Sequence, residues 1–430
     1  MEPSEITINP NSKQLLNLFS LCIFGVGIII GAGIYAILGA AVSHAGSSLW
    51  ISFVLASMVA IFSGISYCEL ATLYPKAGAE YVYLKKAYPE NQWPSFLLGF
   101  VLIIAGCATA TTVAVGFGGY LQEFVEIPKI LSALILMILV TVINLIGIQS
   151  SSKVNILFTL IEVLGLFIVI WFGFTTDKPI ITPNFKITAG TFSAASLIFF
   201  VYLGFEDIAN LAEETQNPQK NIPRAILICL TVTTILYIAV AIAVIQLATS
   251  ETLSKSVVPL AAALTHAAPK WVKVLSSIAL FSTANTVLIT MLAVSRMVLG
   301  ISRGGDLPRI LAKTFRDNKI PLNASIFTLI FTAFFLLISG LEELANVSSL
   351  CALFGFLAVN WAVIVLRYKN PNLERPFRSP VNIGKFPVIA GFGCLSVLVL
   401  LTQFKIKIYL IALVIILLGV IYNFIKRRIT

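Results

Sequence analysis

Acidic side chains stand inside apolar stretches of this sequence, where a carboxylate needs a partner. Glu162 lies near the middle of the run at 154–174, and Glu206 and Asp207 interrupt the run at 191–211. A charged acid at the centre of a membrane helix costs about 2.5–3.5 kcal/mol on insertion scales, so such residues usually face a cavity or an ion pathway. Because burial favours the neutral acid, Glu162 is predicted to bind and release a proton or to help bind a cation.

Glycines interrupt the first and the sixth apolar runs. Gly204 precedes the two acids of the sixth run, and the first run contains four glycines: Gly25, Gly27, Gly31 and Gly33. Glycine weakens a helix by about 1 kcal/mol per residue. Close helix packing is one explanation for such glycines. Interruptions at corresponding positions of two five-helix halves instead indicate a transport site, which is the interpretation we favour.

The composition requires lipid as the solvent for the elements that position these residues. Only 11% of the 430 residues are charged and 58% are hydrophobic, whereas soluble domains carry about 25% charged residues. Continuous apolar runs of about 20 residues predict helices rather than a barrel. The sequence therefore predicts an all-α integral membrane protein in which residues 1–430 form one transmembrane domain. The twelve predicted helices are 17–41, 49–72, 95–120, 130–148, 154–174, 191–211, 225–247, 272–300, 322–340, 344–366, 385–403 and 407–425.

Lysine and arginine positions predict the orientation. With the N-terminus in the cytoplasm and twelve helices, 21 of the 29 basic residues fall on the cytoplasmic side and 8 outside. This asymmetry predicts a multi-pass protein of the cell membrane with both termini in the cytoplasm. Topology also explains the net charge of +10, so nucleic acid is not an expected partner.

Several other functions lack sequence support. The sequence contains no HExxH and no Walker A motif, which argues against a metalloprotease or an ATP-driven pump. The sequence contains no repeated filter motif and no ring of like charges, so it does not indicate a channel. The six cysteines fall inside predicted helices without CxxC spacing, so neither a metal site nor a disulfide framework is expected. We therefore expect no enzyme activity and no cofactor.

Six short motifs are spread along nearly the whole chain. They are Gly27-Ile-Ile-Ile-Gly31-Ala-Gly33-Ile-Tyr35, Pro75-Lys-Ala-Gly-Ala-Glu-Tyr81-Val-Tyr83, Phe199-Phe-Val-Tyr-Leu-Gly204-Phe-Glu206, Glu213-Glu-Thr-Gln-Asn217-Pro218, Phe281-Ser-Thr-Ala-Asn285-Thr, and Gly304-Gly-Asp306-Leu-Pro308. Together they resemble the motifs of the amino acid–polyamine–organocation (APC) superfamily, particularly its cationic-amino-acid-transporter-like branch. The resemblance implies a secondary amino acid transporter that works by alternating access.

The same resemblance implies the leucine-transporter fold. In that fold helices 1–5, at about 17–174, and helices 6–10, at about 191–366, form two inverted repeats. Helices 11 and 12, at about 385–425, lie outside this core, and helices 1 and 6 are discontinuous. The expected substrate is an amino acid or a related amine, and amino acid exchange or polyamine transport is the alternative.

A break near Gly31 would expose backbone groups that suit a zwitterion. The N–H groups of Gly31, Ala32 and Gly33 would face the substrate carboxylate at the positive end of a half-helix. Similar transporters sometimes have serine where Ala32 stands. The substrate ammonium would contact backbone carbonyls, and Val201 would complete the site. The expected carbonyls are those of Ile29, Phe200 and Leu203.

The resemblance also suggests how the site is gated and coupled. Phe200 matches an aromatic gate of similar carriers, and Glu206 is a candidate for the inner gate. In proton-coupled relatives the position of Glu162 can hold a lysine. We expect Glu162 to couple transport to protons, with Ser282 and Thr283 as neighbouring oxygen ligands. Sodium is the alternative ion, and a purely structural tie between helices is the alternative role.

Overall fold

The computed structural model describes residues 16–429 except 77, 92, 147–151, 177–178, 181, 257, 315–320 and 338–339. Side chains are not described at 152–155, 213 and 422–429. The predicted positions of both chain ends therefore lie outside the described residues, as do the loop cations Arg316 and Lys319. The ends of the predicted helices at 130–148 and 322–340 are also partly outside them.

Helices make up nearly all of the described structure. A short hairpin of two strands, β1 (Asn382–Ile383) and β2 (Phe386–Pro387), precedes the last two helices. The helices are α1 Leu18–Ile30, α2 Gly33–Ala45, α3 Leu49–Leu73, α4 Ala79–Ala87, α5 Trp93–Leu121, α6 Lys129–Ile146, α7 Ser152–Phe174, α8 Ala189–Tyr202, α9 Phe205–Asn210, α10 Pro218–Leu247, α11 Ser250–Lys255, α12 Pro259–Ala267, α13 Pro269–Arg303, α14 Leu322–Phe334, α15 Leu341–Lys369, α16 Val388–Leu401 and α17 Ile406–Ile429.

Two apolar segments are interrupted, at the positions that the glycine pattern indicated. The first divides into α1 and α2 at Gly31, whose φ is 26°. The sixth divides into α8 and α9 at Leu203 and Gly204, and Gly204 has a φ of 113°. Glycine adopts these left-handed conformations without the steric cost that a Cβ imposes. The chain can therefore leave the helix at both points and resume it one or two residues later.

Length and composition identify fewer membrane spans in the described residues than the twelve that the sequence predicts. In the described part of the chain, eight helical segments are long and apolar enough to cross a bilayer, or nine if α16 and α17, bent by 110°, count as one broken span. One reason is that the breaks divide apolar segments into shorter helices. Helix α1 has 13 residues and is about 20 Å long, which is shorter than the hydrocarbon core of about 30 Å. A total of twelve spans and the inverted-repeat relation stay predictions.

Large apolar side chains cover the outside of the bundle. Leu139 on α6, Leu164 on α7, Leu395 on α16 and Leu418 on α17 are each about half exposed or more. A soluble protein rarely exposes apolar surface on this scale, whereas lipid tails are the natural solvent for it. The described structure is thus that of a multi-pass integral membrane protein.

The interrupted helices lie in the interior of the bundle. Helix α10 packs against α1, α3 and α7, and α13 packs against α5 and α7. Helix α2 packs against α8, which brings the two breaks together. If residue 204 carried a side chain, its Cβ would lie 2.4 Å from Cγ2 of Ile28. The second break therefore fits against α1 only because residue 204 is a glycine.

Candidate functional site

A cavity opens between the two breaks. It is bounded by α1 and α2 on one side and by α8 and α9 on another, and α5 and α13 complete the wall. The substrate-site residues that the sequence indicated all line it: Ile29, Gly31, Ala32, Gly33, Phe200, Val201 and Leu203. The structure therefore brings together backbone groups from segments about 170 residues apart in the chain.

The backbone N–H groups of the first break are mostly engaged within the protein. The Gly31 N–H donates to the Gly27 carbonyl at 3.0 Å. The Ala32 N–H donates to Oγ1 of Thr286 at 3.0 Å. Gly33 begins α2, and the N–H groups of a first helical turn lack acceptors within their own helix. Two of the three amides expected to bind the substrate carboxylate, those of Gly31 and Ala32, therefore already donate hydrogen bonds within the protein. In this conformation the N-terminal end of α2 is the part of the expected site that still offers N–H groups to a ligand.

Thr286 is a site residue that the sequence reasoning did not single out. It lies on α13, lines the cavity, and reaches across to the break between α1 and α2. One signal was present: Thr286 is four residues after Ser282, so the two share a face of the helix. The partner of its hydroxyl lies 254 residues away in the chain, and no local pattern indicates that pairing.

The three carbonyls expected to receive the ammonium group differ in how available they are to a ligand. The Ile29 carbonyl accepts a hydrogen bond of 2.6 Å from the Tyr237 hydroxyl. The Phe200 carbonyl accepts the Leu203 N–H at 3.3 Å. The Leu203 carbonyl has no donor among the described residues, and it lines the cavity. In this conformation Leu203 offers the most available of the three acceptors.

Tyr237 contacts both interrupted segments. Its hydroxyl lies 2.6 Å from the Ile29 carbonyl and 3.1 Å from the Val201 carbonyl, and its side chain is fully buried on α10. A single hydroxyl proton is therefore shared between one carbonyl of α1 and one of α8. The sequence reasoning missed this residue, because a tyrosine in an apolar helix looks like ordinary core.

Phe200 is placed against the first break. Its side chain is 3% exposed and lines the cavity. A Cβ built on Gly33 would lie 3.6 Å from the ring, which puts the ring beside the start of α2. The ring can therefore cover a small ligand bound at that end and exclude water from it.

Glu162 is buried on α7, next to two polar side chains of α13. Only 1% of the residue is exposed, and neither carboxyl oxygen has a partner among the described residues. Ser282 and Asn285 of α13 are the polar side chains next to the carboxyl. An ionised carboxylate here would be a buried charge without a cation beside it among the described residues, which is unfavourable. The protonated form suits this environment.

The two hydroxyls expected beside Glu162 differ in availability. The Ser282 hydroxyl has no partner among the described residues, so it is free to bind the acid or an ion. The Thr283 hydroxyl donates to the carbonyl oxygens of Ala279 and Leu280 in its own helix. Asn285 both adjoins Glu162 and lines the cavity, and it links the acid to the site in a way that the sequence did not indicate.

Three carboxylates line the end of the cavity near α9. Glu206 accepts the Gly204 N–H at 2.9 Å, and Asp207 accepts from Nδ2 of Asn210 at 3.4 Å. Glu80 of α4 accepts from the Tyr67 hydroxyl at 3.0 Å. No lysine, arginine or histidine is among the described residues that line this cavity. Glu206 therefore caps the second break, and Glu80 and Asp207 make this end of the cavity acidic.

Burial changes the acidity of Glu80, which lies on α4 outside the membrane spans. Removal from water raises the pKa of its carboxyl from 4.5 to about 7, and the nearby Asp207 charge adds to this rise. Hydrogen bonds from the backbone and from Tyr67 act in the opposite direction. Glu80 therefore changes its charge close to neutral pH.

Comparisons with known proteins identify the chain's relatives. A family model described as amino acid permease matches residues 16–425. The branched-chain amino acid permease BcaP of Bacillus subtilis is 30% identical over 97% of this chain and 93% of its own. The methylthioribose transporter of Bacillus subtilis is 30% identical over 91% of this chain and 89% of its own. Cationic amino acid transporter 6, chloroplastic, of Arabidopsis thaliana is 28% identical over 85% of this chain and 67% of its own.

An all-helical membrane protein with a cavity between two interrupted helices, matched along its length by transporters, is itself a membrane transporter and not an enzyme. The chain belongs to the amino acid permease family, within the APC superfamily. The resemblance drawn from its motifs is thereby confirmed.

Proposed function

We propose that this protein carries neutral amino acids across the cell membrane by alternating access and that protons drive the transport. The observation that supports the proposal best is the cavity between the two breaks. It offers the amide end of α2 for a carboxylate and the Leu203 carbonyl for an ammonium group. Phe200 lies beside both and is the proposed gate.

The wall of the cavity supports a substrate with an apolar side chain. Leu102 and Ala105 of α5 and Ile289, Val294 and Met297 of α13 line it. Such a wall binds aliphatic groups through dispersion and through the release of water. The name of the Bacillus subtilis branched-chain relative agrees with this substrate class.

A cationic amino acid or amine is the second candidate. The acidic end of the cavity, formed by Glu80, Glu206 and Asp207, favours it. Each of these carboxylates already accepts a hydrogen bond from the protein, which reduces the need for a substrate cation. We therefore place neutral substrates first and cationic ones second.

The proposed coupling residue is Glu162. Its buried carboxyl suits a proton, while Ser282 and Asn285 can stabilise the ionised form after the proton leaves. Sodium coupling would need several oxygen ligands around the ion, and Thr283 contributes its hydroxyl elsewhere in this conformation. Protons are thus the favoured ion.

Uptake into proteoliposomes tests the proposal. Labelled leucine, alanine, lysine and putrescine should be compared with and without an inward proton gradient. We expect gradient-dependent accumulation of the neutral amino acids. Accumulation of lysine or putrescine alone would favour the second candidate, and transport that requires internal amino acid would indicate an exchanger.

The substitution Glu162→Gln tests the coupling separately. It keeps the shape of the side chain but cannot carry the proton, so accumulation should stop while exchange of internal for external substrate persists. Glu123→Gln, at an exposed glutamate, is the matched control and should behave as the native protein. Full accumulation by Glu162→Gln would contradict the proposed role.

A further inference from the structure

Basic side chains converge on the segment that joins α15 to α16. Four of them line a cavity that shares no residue with the transport cavity. They are Arg367, Arg375, Arg378 and Lys385. The hairpin formed by β1 and β2 lies within this segment, directly before the start of α16 at Val388.

Among the described residues, one buried carboxylate, Glu69 of α3, pairs with these cations. Arg367 donates to both of its oxygens at 2.7 Å, and Arg375 donates to Oε1 at 3.1 Å. The Ser379 N–H completes the set at 2.9 Å. The four lining cations and Glu69 leave three positive charges unbalanced, and the exposed Glu374 in the same segment makes no ion pair with them among the described residues.

Two of the four cations are free to bind a ligand. Arg378 and Lys385 are exposed, and neither makes an ion pair or a hydrogen bond with another described residue. The other two are held in place, since the Arg367 and Arg375 side chains are 3% and 7% exposed. A buried, hydrogen-bonded cationic floor with two unpaired cations at its rim suits an anion that approaches from outside.

The hairpin next to the pocket exposes apolar side chains. Val381 is 63% exposed and Ile383 is 74% exposed. Apolar residues flanked by Lys and Arg are typical of segments that lie at the membrane surface, with the apolar groups among acyl chains and the cations among headgroups. The hairpin directly precedes the apolar helix α16, which begins at Val388 and forms a bent apolar pair with α17, and this placement agrees with a position at the membrane surface.

We propose that this pocket binds the phosphate of an anionic phospholipid headgroup. Arg378 and Lys385 contact the phosphate, and Val381 and Ile383 rest against the acyl chains. Arginine is well suited to this role because its guanidinium can donate two parallel hydrogen bonds to phosphate oxygens. In the proposed orientation the lipid belongs to the cytoplasmic leaflet.

Native mass spectrometry of the full chain in detergent tests the binding. Phosphatidylglycerol and phosphatidylethanolamine with the same acyl chains are titrated in parallel. We expect at least about threefold more phosphatidylglycerol bound, a difference of roughly 0.7 kcal/mol. R378Q/K385Q should abolish this preference. K270Q/K273Q, which removes two exposed lysines at the start of α13, should retain it.

Three results would overturn the proposal. The first is equal binding of the two lipids, and the second is an unchanged preference in R378Q/K385Q. The third is full displacement of phosphatidylglycerol by millimolar inorganic phosphate, which would show a site for free phosphate instead of a lipid. Binding is measured without transport and in the absence of a bilayer, so the result does not depend on the proposed substrate or orientation.

Discussion

The hydroxyl of Thr286 holds the unwound backbone at the first break. It accepts the Ala32 N–H at 3.0 Å, and the group lines the cavity in which the substrate is proposed to bind. We propose that the substrate carboxylate competes with the Thr286 hydroxyl for this amide. The residue then affects substrate binding through the position of the amide.

Replacement of Thr286 by valine removes the acceptor and keeps the shape of the side chain. The Ala32 amide would lose its partner, which costs about 1–3 kcal/mol for a buried donor. We expect KM for uptake to change by about three- to tenfold with little loss of folded protein. Thr231→Val is the control, because the exposed Thr231 bonds only to its own helix, at Leu227. Equal kinetics of the two variants would exclude a role for Thr286 in binding.

The buried carboxyl of Glu80 makes stability depend on pH. In the unfolded chain this group ionises near pH 4.5, whereas in the folded protein its pKa is about 7. The folded state therefore holds more protons between these values, so stability falls as pH rises from 4.5 to 7 and levels off above. The difference is on the order of 3 kcal/mol.

Glu80→Gln should reduce this pH dependence. Glutamine keeps an acceptor for the Tyr67 hydroxyl but has no charge to bury. We expect Tm in detergent to fall less between pH 5 and pH 7.5 than in the native protein. Glu90→Gln, at an exposed glutamate in the same loop region, should follow the native profile. A Glu80→Gln profile that matches the native one would show that Glu80 ionises freely in the folded state.

At the scale of elements, Tyr237 of α10 joins the two interrupted helices. Its hydroxyl lies within hydrogen-bond distance of the Ile29 and Val201 carbonyls, so α1 and α8 share one donor at the point where each approaches its break. A movement that separates these helices must give up one of the two contacts. Tyr237 is therefore positioned to fix their relative placement.

Tyr237→Phe should loosen this junction. The variant leaves buried carbonyls without a donor, which costs about 1–3 kcal/mol, so both Tm and the initial uptake rate should fall. Tyr83→Phe is a close control: Tyr83 is fully buried, but its hydroxyl has no partner among the described residues. Its removal should leave Tm unchanged or slightly higher. If both variants lost the same stability, the hydrogen bonds of Tyr237 would not be the cause.

The second break depends on a glycine for two separate reasons. Gly204 has a φ of 113°, and a Cβ there would lie 2.4 Å from Ile28. Gly204→Ala should therefore lower Tm both through backbone strain and through the contact with Ile28. Gly46→Ala isolates the strain, since Gly46 has a φ of 54° with nothing within 4 Å of a Cβ. Equal losses in the two variants would show that contact with α1 is unimportant.

Across the whole molecule, the features that could be predicted from the sequence are those determined by residues close together in the chain. Glycines and acids inside apolar runs placed both interruptions, because helix weakening acts within a few residues. Apolar runs likewise placed nearly every long helix. Thr286 and Tyr237 could not be found in this way, because their partners lie 254 and 208 residues away. Glu80 was missed because only the fold brings α4 beside α9.

The number of membrane spans is a property of the whole molecule that experiment must determine. Helix α14 tests the count of twelve most directly. It has 13 residues, yet twelve spans require it to cross the membrane. Ser254 and Glu374 are exposed on either side of α13, α14 and α15. If all three helices cross, the two positions face opposite sides of the membrane.

Labelling with a membrane-impermeant maleimide measures this directly. Ser254→Cys and Glu374→Cys are made separately in a background in which the six native cysteines are replaced. In intact cells we expect labelling of Ser254→Cys only, with Glu374→Cys labelled after permeabilisation, because basic loops remain in the cytoplasm. Labelling of both positions in intact cells would mean that one of the three helices does not cross. Labelling of Glu374→Cys alone would invert the proposed orientation and place the basic pocket between α15 and α16 in the outer leaflet.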